Sequence, residues 1–550
     1  MHRAALTLVF LSFLTFFFGL GRQAITDSDE AFYAEAAREM VESGDWLTPH
    51  FNYQDRWQKP ALYYWLTAAT YLIAGPVEWA ARFWSAISGL GLVFLTWSAA
   101  TRLGARDYAA WLAGAIVATC YGYFAMARLA LPDLPLAFCI TLCIWSALQT
   151  RWALVGLAAG LGFLMKGPVA LVVPAIVLLP IWWREGQLPA RRSLGGGGSS
   201  LRVRDLAIAA LVFAIVGLPW YAAMTLEHGS AYLQSFFVSD NFERFATDRF
   251  NEPRAFWFYA PIVLGGMLPW AVFLVVLPWQ SVVRVIRRRR RLTVDEWRLL
   301  IWVLAPLVFF TISIGKQPRY VLPVLPPLAI LLANAIVGRL TPRSSTDRQP
   351  GLAAATWITA ALYVALALLL WRARPIFITA NPVLSNVAII VMILCALALA
   401  WIAIARKWQM LPQIMSRCAA ALLVAVQFGA LAGMRPEPVE QMAALVGQHR
   451  VGNEPVGEYQ VFVRSLVFYA RFPQTEIFDE QRALDYINSA GRVLLVVRAT
   501  DLSRLEAVAG VTLKRLGEVT YLNTANIKFR TLLFPLPEQD LETVLLVSNR

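Results

Sequence analysis

Ile25-Thr-Asp-Ser-Asp-Glu-Ala-Phe-Tyr-Ala-Glu-Ala-Ala-Arg-Glu-Met40 stands directly behind Ala4 to Leu20, an apolar run long enough to approach a membrane span. Ionisable groups beside a bilayer are costly and mark substrate or ion pathways, so Asp29 and Glu30 are the first candidates for chemistry. The run before them follows His2 and Arg3 but has no Ala-x-Ala-like cleavage site behind it, and reads as an uncleaved first helix.

Working outward, apolar runs of this kind recur along the chain. With 58% hydrophobic and only 15% charged residues, the composition lies far outside the soluble range and implies a polytopic α-helical membrane protein. The net charge of +14 sits entirely before residue 435, because the chain from Arg435 on carries 13 basic and 14 acidic residues. The excess is gathered in short loops, at Arg184 to Arg204, Arg284 to Arg298, Arg339 to Arg348 and Arg406 to Arg417. Such clusters mark cytoplasmic loops, so the charge is a topology signal and no nucleic-acid partner is expected.

Placing those loops in the cytoplasm gives about thirteen spans, from 4–21 and 82–101 through 319–338 to 416–434, with the tail outside. The expected organisation is a transmembrane part over 1–434, interrupted by a long extracytoplasmic first loop at 22–81, and a small α/β domain over 435–550. Gly195 to Ser200 reads as a flexible connector. Cys120, Cys139, Cys143, Cys395 and Cys418 lie in apolar segments without ligand or disulfide spacing and read as packing residues. Four scattered histidines offer no zinc motif, so a divalent metal, left open here, would have to rest on carboxylates.

Locally, Asp27-Ser-Asp-Glu30 can form a capping box, with Asp27 capping and Glu30 reaching back. Asp29 then falls in the first helical turn, where the helix dipole favours an anion suited to accepting a proton or orienting a nucleophile. Capping and chemistry stand level for Asp29, with Tyr33 beside it at i+4. Lys59, ahead of Pro60 and the aromatic Ala61-Leu-Tyr-Tyr-Trp65, is either a snorkelling lysine or a point charge for phosphate. Asp133 in Leu131-Pro-Asp-Leu-Pro135 is a second candidate carboxylate, with helix capping as its competing role. Cations expected on the same side are Lys166, Arg244, Arg249, Arg254, Lys316 and Arg319. Acidic and basic residues meeting on the outer side, while cytoplasmic loops are almost purely basic, imply an anionic ligand there.

In order along the chain stand Asp-Glu-x-x-Tyr33, Arg-Glu-Met40, Ser-Gly-Asp-Trp46, Lys-Pro60, Asp133, Lys-Gly-Pro168, Glu-Arg-Phe245, Phe-Trp-Phe-Tyr259 and Lys-x-Pro-x-Tyr320. This ensemble resembles the polyprenyl-phosphate-dependent glycosyltransferases of the C superfamily (GT-C type), specifically the aminoarabinose (lipid A) transferases, a grouping that includes protein O-mannosyltransferase-like enzymes. The resemblance implies transfer of a sugar, with 4-amino-4-deoxy-L-arabinose as the leading candidate, from a polyprenyl-phosphate donor to lipid A or another envelope acceptor. It places the reaction at the periplasmic face of the bacterial inner membrane, with inversion, among membrane lipids and without an obligate protein partner. Asp29 then resembles the essential first-loop aspartate and Asp133 the second-loop carboxylate. Lys59 and Arg244 resemble the cations that hold the carrier phosphate, and Tyr320 the matching tyrosine. Glu30, Tyr33, Lys166 and Lys316 complete the expected substrate-binding set. Two positions depart from the pattern: Phe32 stands where Arg is usual, and Gln58 where Glu often precedes Lys-Pro. The alternatives are a transporter or flippase for a lipid-linked sugar, or a related transferase with another sugar or a protein acceptor. Transporters typically carry internal repeats and midplane charges, and neither is evident in this sequence.

Overall fold

The computed structural model describes residues 2–186, 202–243, 247, 254–276, 292–340, 349–524 and 527–550. Arg244, Arg249, the Gly195 to Ser200 stretch and the Arg287 to Arg291 cluster lie outside the described residues. Long apolar helices dominate the first 431 residues, and the chain is a multi-pass membrane protein.

Five of these helices are long and apolar enough to cross a bilayer, namely Glu78–Arg102, Pro318–Leu340, Pro350–Ile376, Pro382–Ala405 and Trp408–Leu431. The expected spans 108–126 and 206–226 are each bent, by 52° between Asp107–Ala118 and Tyr121–Ala127 and by 45° between Val203–Gly217 and Pro219–Glu243. Counting each bent pair as one span gives up to seven by length and composition, while His2–Phe17, Asp133–Leu148, Trp152–Lys166 and Val169–Arg184 are shorter apolar helices. Hydropathy sums over a window, so it registers apolar length but is blind to a bend inside it.

Small residues let these helices approach closely. A Cβ at Gly156 would lie 2.3 Å from the Ala209 carbonyl oxygen, and one at Gly160 would lie 2.9 Å from Val216 Cβ. The Gly156-x-x-x-Gly160 stripe therefore brings Trp152–Lys166 against Val203–Gly217 at backbone contact, the usual way helices associate where lipid supplies no hydrophobic drive. All five cysteines are buried and unpaired, in keeping with packing roles.

Where the first helix ends, its backbone carbonyls need partners, because an unsatisfied polar group next to lipid costs several kcal/mol, roughly. Two buried arginines supply them. Arg128 donates to the carbonyls of Thr15, Phe18 and Gly19, and Arg82 to those of Leu20, Gln23 and Ala24. These bonds fix the path by which the chain enters the helix Asp29–Ser43.

That helix is followed by a hairpin of β1 (His50–Phe51) and β2 (Gln54–Asp55), whose two turn residues Asn52 and Tyr53 both have positive φ, as a type I′ turn requires. From Pro438 on the chain forms a five-stranded mixed sheet of β3 (Val456–Tyr459), β4 (Thr475–Ile477), β5 (Leu494–Arg498), β6 (Lys514–Tyr521) and β7 (Glu542–Ser548). The order is β4-β3-β5-β7-β6; β3 runs parallel to β4 and β5, and β7 antiparallel to β5 and β6. One face packs Val456, Leu494, Val496, Val544 and Leu546 against the helix Pro438–His449, and the other covers Leu495, Val497 and Val547 with the helices Glu480–Ile487 and Ala499–Ala509. Burial on both faces explains why β5 and the end of β7 read as continuous apolar runs.

The sheet is tied to the first loop at several points. Asn52 exchanges two 2.8 Å hydrogen bonds with the Gln474 backbone, and the Tyr469 hydroxyl accepts from the Ile25 amide at 2.8 Å and donates to Glu78 at 3.0 Å.

Candidate active site

The helix Asp29–Ser43 begins at Ser28, which is extended and accepts the Glu30 amide through its hydroxyl, and ends at Gly44 in the left-handed region with φ 73°. The expected capping box is therefore corrected. Asp27 is not the cap; its carboxylate accepts the amides of Arg464 and Ser465 in the C-terminal segment. Glu30 does not close a box either. Both of its oxygens are taken by Arg82, at 2.7 and 3.1 Å, with further bonds from Thr26 and the Ala130 amide. Fully buried, Glu30 joins the first loop to the helix Glu78–Arg102 and to the turn before Asp133. Both Glu30 oxygens are thus engaged by protein donors.

Asp29 occupies the first helical position one residue earlier and points the other way. Arg319 pairs with its Oδ2, and Arg464 lies 3.8 Å from its Oδ1. Burial pushes the Asp29 carboxyl up, but Arg319, Arg464 and Lys166 together outweigh it, and the group is held below the ordinary value of 3.8. Asp29 is therefore an anion at neutral pH.

Asp133, at the first position of the helix Asp133–Leu148, makes no side-chain cap bond. Its carboxylate pairs with Lys166 and lies 3.6 Å from Arg319 Nε. Lys166 ends its own helix and sits 5.4 Å from the Tyr320 ring centroid. The turn after it depends on Gly167, with φ 79°, where a Cβ would stand 2.8 Å from the Phe236 ring. Lys59 lies 3.8 Å from Asp240; Pro60 precedes the helix Leu62–Ala74 and does not occupy its first position. Tyr33 is buried, stacked on Tyr64 at 5.3 Å and edge-on to Tyr63 at 5.4 Å. Burial raises its phenol pKa, keeping it neutral.

Two cavities open beside this cluster, of about 1040 and about 370 Å³. They share one wall, made by Asp29, Tyr33, Lys59, Asp240 and Arg319. The smaller adds Asp133, Lys166 and Tyr320 at one end and is otherwise largely apolar, with Leu136, Ile140, Val169, Val172 and Phe309. The larger is more mixed and includes Phe32, Arg56 and Arg464, with the Arg56 guanidinium 3.8 Å and that of Arg464 4.7 Å from the Phe32 ring centroid.

Of the residues singled out from sequence, Asp29, Asp133, Tyr33, Lys59, Lys166 and Tyr320 come together at these cavities. Lys316 does not; its ammonium turns back to the Ser313 carbonyl at 2.6 Å. Arg319 stands in the Lys-Gln-Pro-Arg-Tyr320 motif, yet nothing local distinguishes it from a headgroup contact. Arg56, Asp240 and Arg464 carried no sequence signal, since the contacts that place them at the site are long-range. Gln58 lines the larger cavity, but among the described residues no group of three His, Cys, Asp or Glu side chains forms a metal set.

Residues 6–228 match the family model described as dolichyl-phosphate-mannose-protein mannosyltransferase. The undecaprenyl phosphate-alpha-4-amino-4-deoxy-L-arabinose arabinosyl transferase 2 of Proteus mirabilis is 33% identical over 341 residues, 60% of this chain and 59% of the relative. The corresponding transferase of Pseudomonas aeruginosa is 32% identical over 354 residues, 62% of this chain and 61% of the relative. The chain is similar to the aminoarabinose transferases. The alignments span about three fifths of the length of these curated relatives. Over the whole length, the fold is that of ArnT from Cupriavidus metallidurans, solved bound to undecaprenyl phosphate, with a TM-score of 0.72 at 22% identity covering 99% of this chain and 98% of that one. The archaeal oligosaccharyltransferase AglB from Archaeoglobus fulgidus, in complex with an inhibitory peptide and a dolichol-phosphate, has a TM-score of 0.52 at 12% identity over 92% of this chain and 70% of that one.

Proposed function

We propose that this chain transfers a sugar, 4-amino-4-deoxy-L-arabinose being the first candidate, from a polyprenyl-phosphate donor to lipid A or a related envelope acceptor. The observation that carries this reading is an ionised carboxylate, Asp29, on the wall common to a largely apolar cavity and a larger mixed one. A transferase needs two substrates to meet at such a wall.

In this reading the smaller cavity takes the carrier end of the donor, with apolar side chains along the isoprenoid and Lys59 and Lys166 near the phosphate. These lysines, with Arg244 beyond the described residues, neutralise charge developing on the departing lipid phosphate. The acceptor enters the larger cavity, and Asp29 orients it or acts as base as the anomeric carbon is attacked from the opposite face; base catalysis is less necessary where the acceptor group is itself a phosphate. One displacement of this kind inverts the anomeric configuration. Asp133 holds Lys166 and Arg319 in place from behind.

The reading includes thirteen spans with a cytoplasmic N-terminus, a transmembrane part over 1–434, an outer domain over 435–550, and a site facing the periplasm of the bacterial inner membrane. The basic loops support that orientation. It is tested by reconstituting the purified protein with undecaprenyl-phosphate-linked aminoarabinose and lipid A, and following the product by mass spectrometry. Modified lipid A is expected from the wild type and none from Asp29→Asn at equal protein level. A protein that moves the donor across vesicles but forms no new glycosidic bond would instead be a flippase.

A further inference from the structure

Asp27 and Asp29 stand two residues apart, and both grip the same residue of the C-terminal segment. Asp27 accepts the backbone amides of Arg464 at 2.8 Å and Ser465 at 3.1 Å. The Arg464 side chain returns across the Phe32 ring, 4.7 Å from its centroid, to reach Asp29 Oδ1 at 3.8 Å. The backbone is fixed again at the helix Leu466–Ala470, whose Tyr469 hydroxyl bonds Ile25 and Glu78.

The two carboxylate oxygens of Asp29 thus face different guanidinium groups. Oδ2 pairs with Arg319, carried by the helical bundle, and Oδ1 faces Arg464, carried by the C-terminal segment. A carboxylate approached from both oxygens has its plane set, whereas one approached from a single oxygen can rotate about its last bond. Both arginines line the larger cavity, so this orientation is set where an acceptor would sit.

We infer that the C-terminal segment is part of the reacting centre, and that Arg464 is a positioning residue that orients Asp29 across the interface between bundle and sheet. This rests on the reading of Asp29 as the group that orients or deprotonates the acceptor. The other charged or titratable groups facing Asp29 are Arg319, Lys166 and, behind them, Asp133 from the bundle, with Tyr33 from its own helix and Tyr64 from the helix Leu62–Ala74. Glu476 faces Arg464 from β4.

A purely mechanical role for Arg464, holding the sheet down, is the competing account, and a control separates the two. Asn52 ties the sheet to the first loop through the Gln474 backbone and does not touch Asp29. The experiment measures sugar transfer from undecaprenyl-phosphate-linked aminoarabinose to lipid A by the full chain, across pH. Arg464→Ala and Arg464→Gln are expected to lower kcat about tenfold, with donor KM unchanged, and to move the acid limb of kcat to higher pH. Removing a cation raises the pKa of the carboxylate it faces, so the ionised form is lost at a higher pH. Arg464→Lys should recover most of the rate, and Asn52→Ala should keep the wild-type acid limb. The inference is overturned if Arg464→Ala and Arg464→Gln retain wild-type kcat and acid limb, or if Asn52→Ala reproduces their effects. Should Asp29→Asn remain active, the reading of Asp29 itself falls, whatever Arg464 does.

Discussion

Asp29 and Asp133, which begin two different helices, are joined through a single side chain: Arg319 pairs with Asp29 through Nη2 and stands 3.6 Å from Asp133 through Nε. Two carboxylates drawn to one site repel unless a cation stands between them. The shared guanidinium ties both carboxylates to one cation where they line the smaller cavity.

Replacing Arg319 with Gln removes the largest single source of the lowered Asp29 pKa while keeping a polar side chain. In the wild type, loss of activity through Asp29 as pH falls should be centred below the ordinary carboxylate value of 3.8, because the folded-state pKa lies below it. In Arg319→Gln the acid limb should move to higher pH and transfer should drop on the order of 100-fold. A pH–rate profile that matches the wild type would show that Arg319 does not govern Asp29.

Lys59 distinguishes phosphate binding from snorkelling. Lys59→Ala is expected to raise the KM for the polyprenyl-phosphate donor about tenfold or more and to lower kcat as well, since the charge–phosphate contact exists in the ground state and strengthens as charge develops on the leaving phosphate. An unchanged donor KM, with normal protein level in membranes, would assign the lysine to the lipid interface.

Glu30 should matter for folding more than for chemistry. Removing one member of a buried ion pair strands the other, here Arg82, at a cost of about 3–5 kcal/mol. Glu30→Ala should therefore melt markedly earlier in detergent, measured by thermal unfolding. The Glu30 carboxyl is pushed up by burial but brought below its ordinary 4.5 by Arg82 and the Thr26 and Ala130 amides. Its stabilising contribution is thus complete above that value and is lost as pH falls through the folded-state pKa. Glu30→Ala should lack this acid dependence.

Close helix contact gives a fourth expectation. At Gly156 a side chain would meet the Ala209 carbonyl, which is backbone and cannot rotate away. Gly156→Val should force Trp152–Lys166 and Val203–Gly217 apart and lower the yield of folded protein, while Gly338→Ala, with nothing near its added Cβ, should not. Equal yields from the two variants would contradict the packing described.

Much of this protein was legible in the amino-acid sequence by itself. Apolar length marked where helices such as Glu78–Arg102 and Pro382–Ala405 stand, because bilayer thickness acts on short windows of chain. The position of Asp29 in a first helical turn behind the opening apolar run was likewise a local property, as was its i+4 relation to Tyr33. Tertiary structure alone decided the pairings. It sent Glu30 to Arg82 and Asp27 to the Arg464 and Ser465 amides, where local spacing favoured a capping box. It turned Lys316 back to a carbonyl and brought Arg319 and Arg464 to opposite oxygens of Asp29. Ion pairs form between whichever groups burial brings together, and those groups are set by helix contacts distant in the chain. The acidic stretch at residues 25–40 therefore announced where charge would collect, and the packed bundle and sheet determined which carboxylate holds the fold and which faces the cavities.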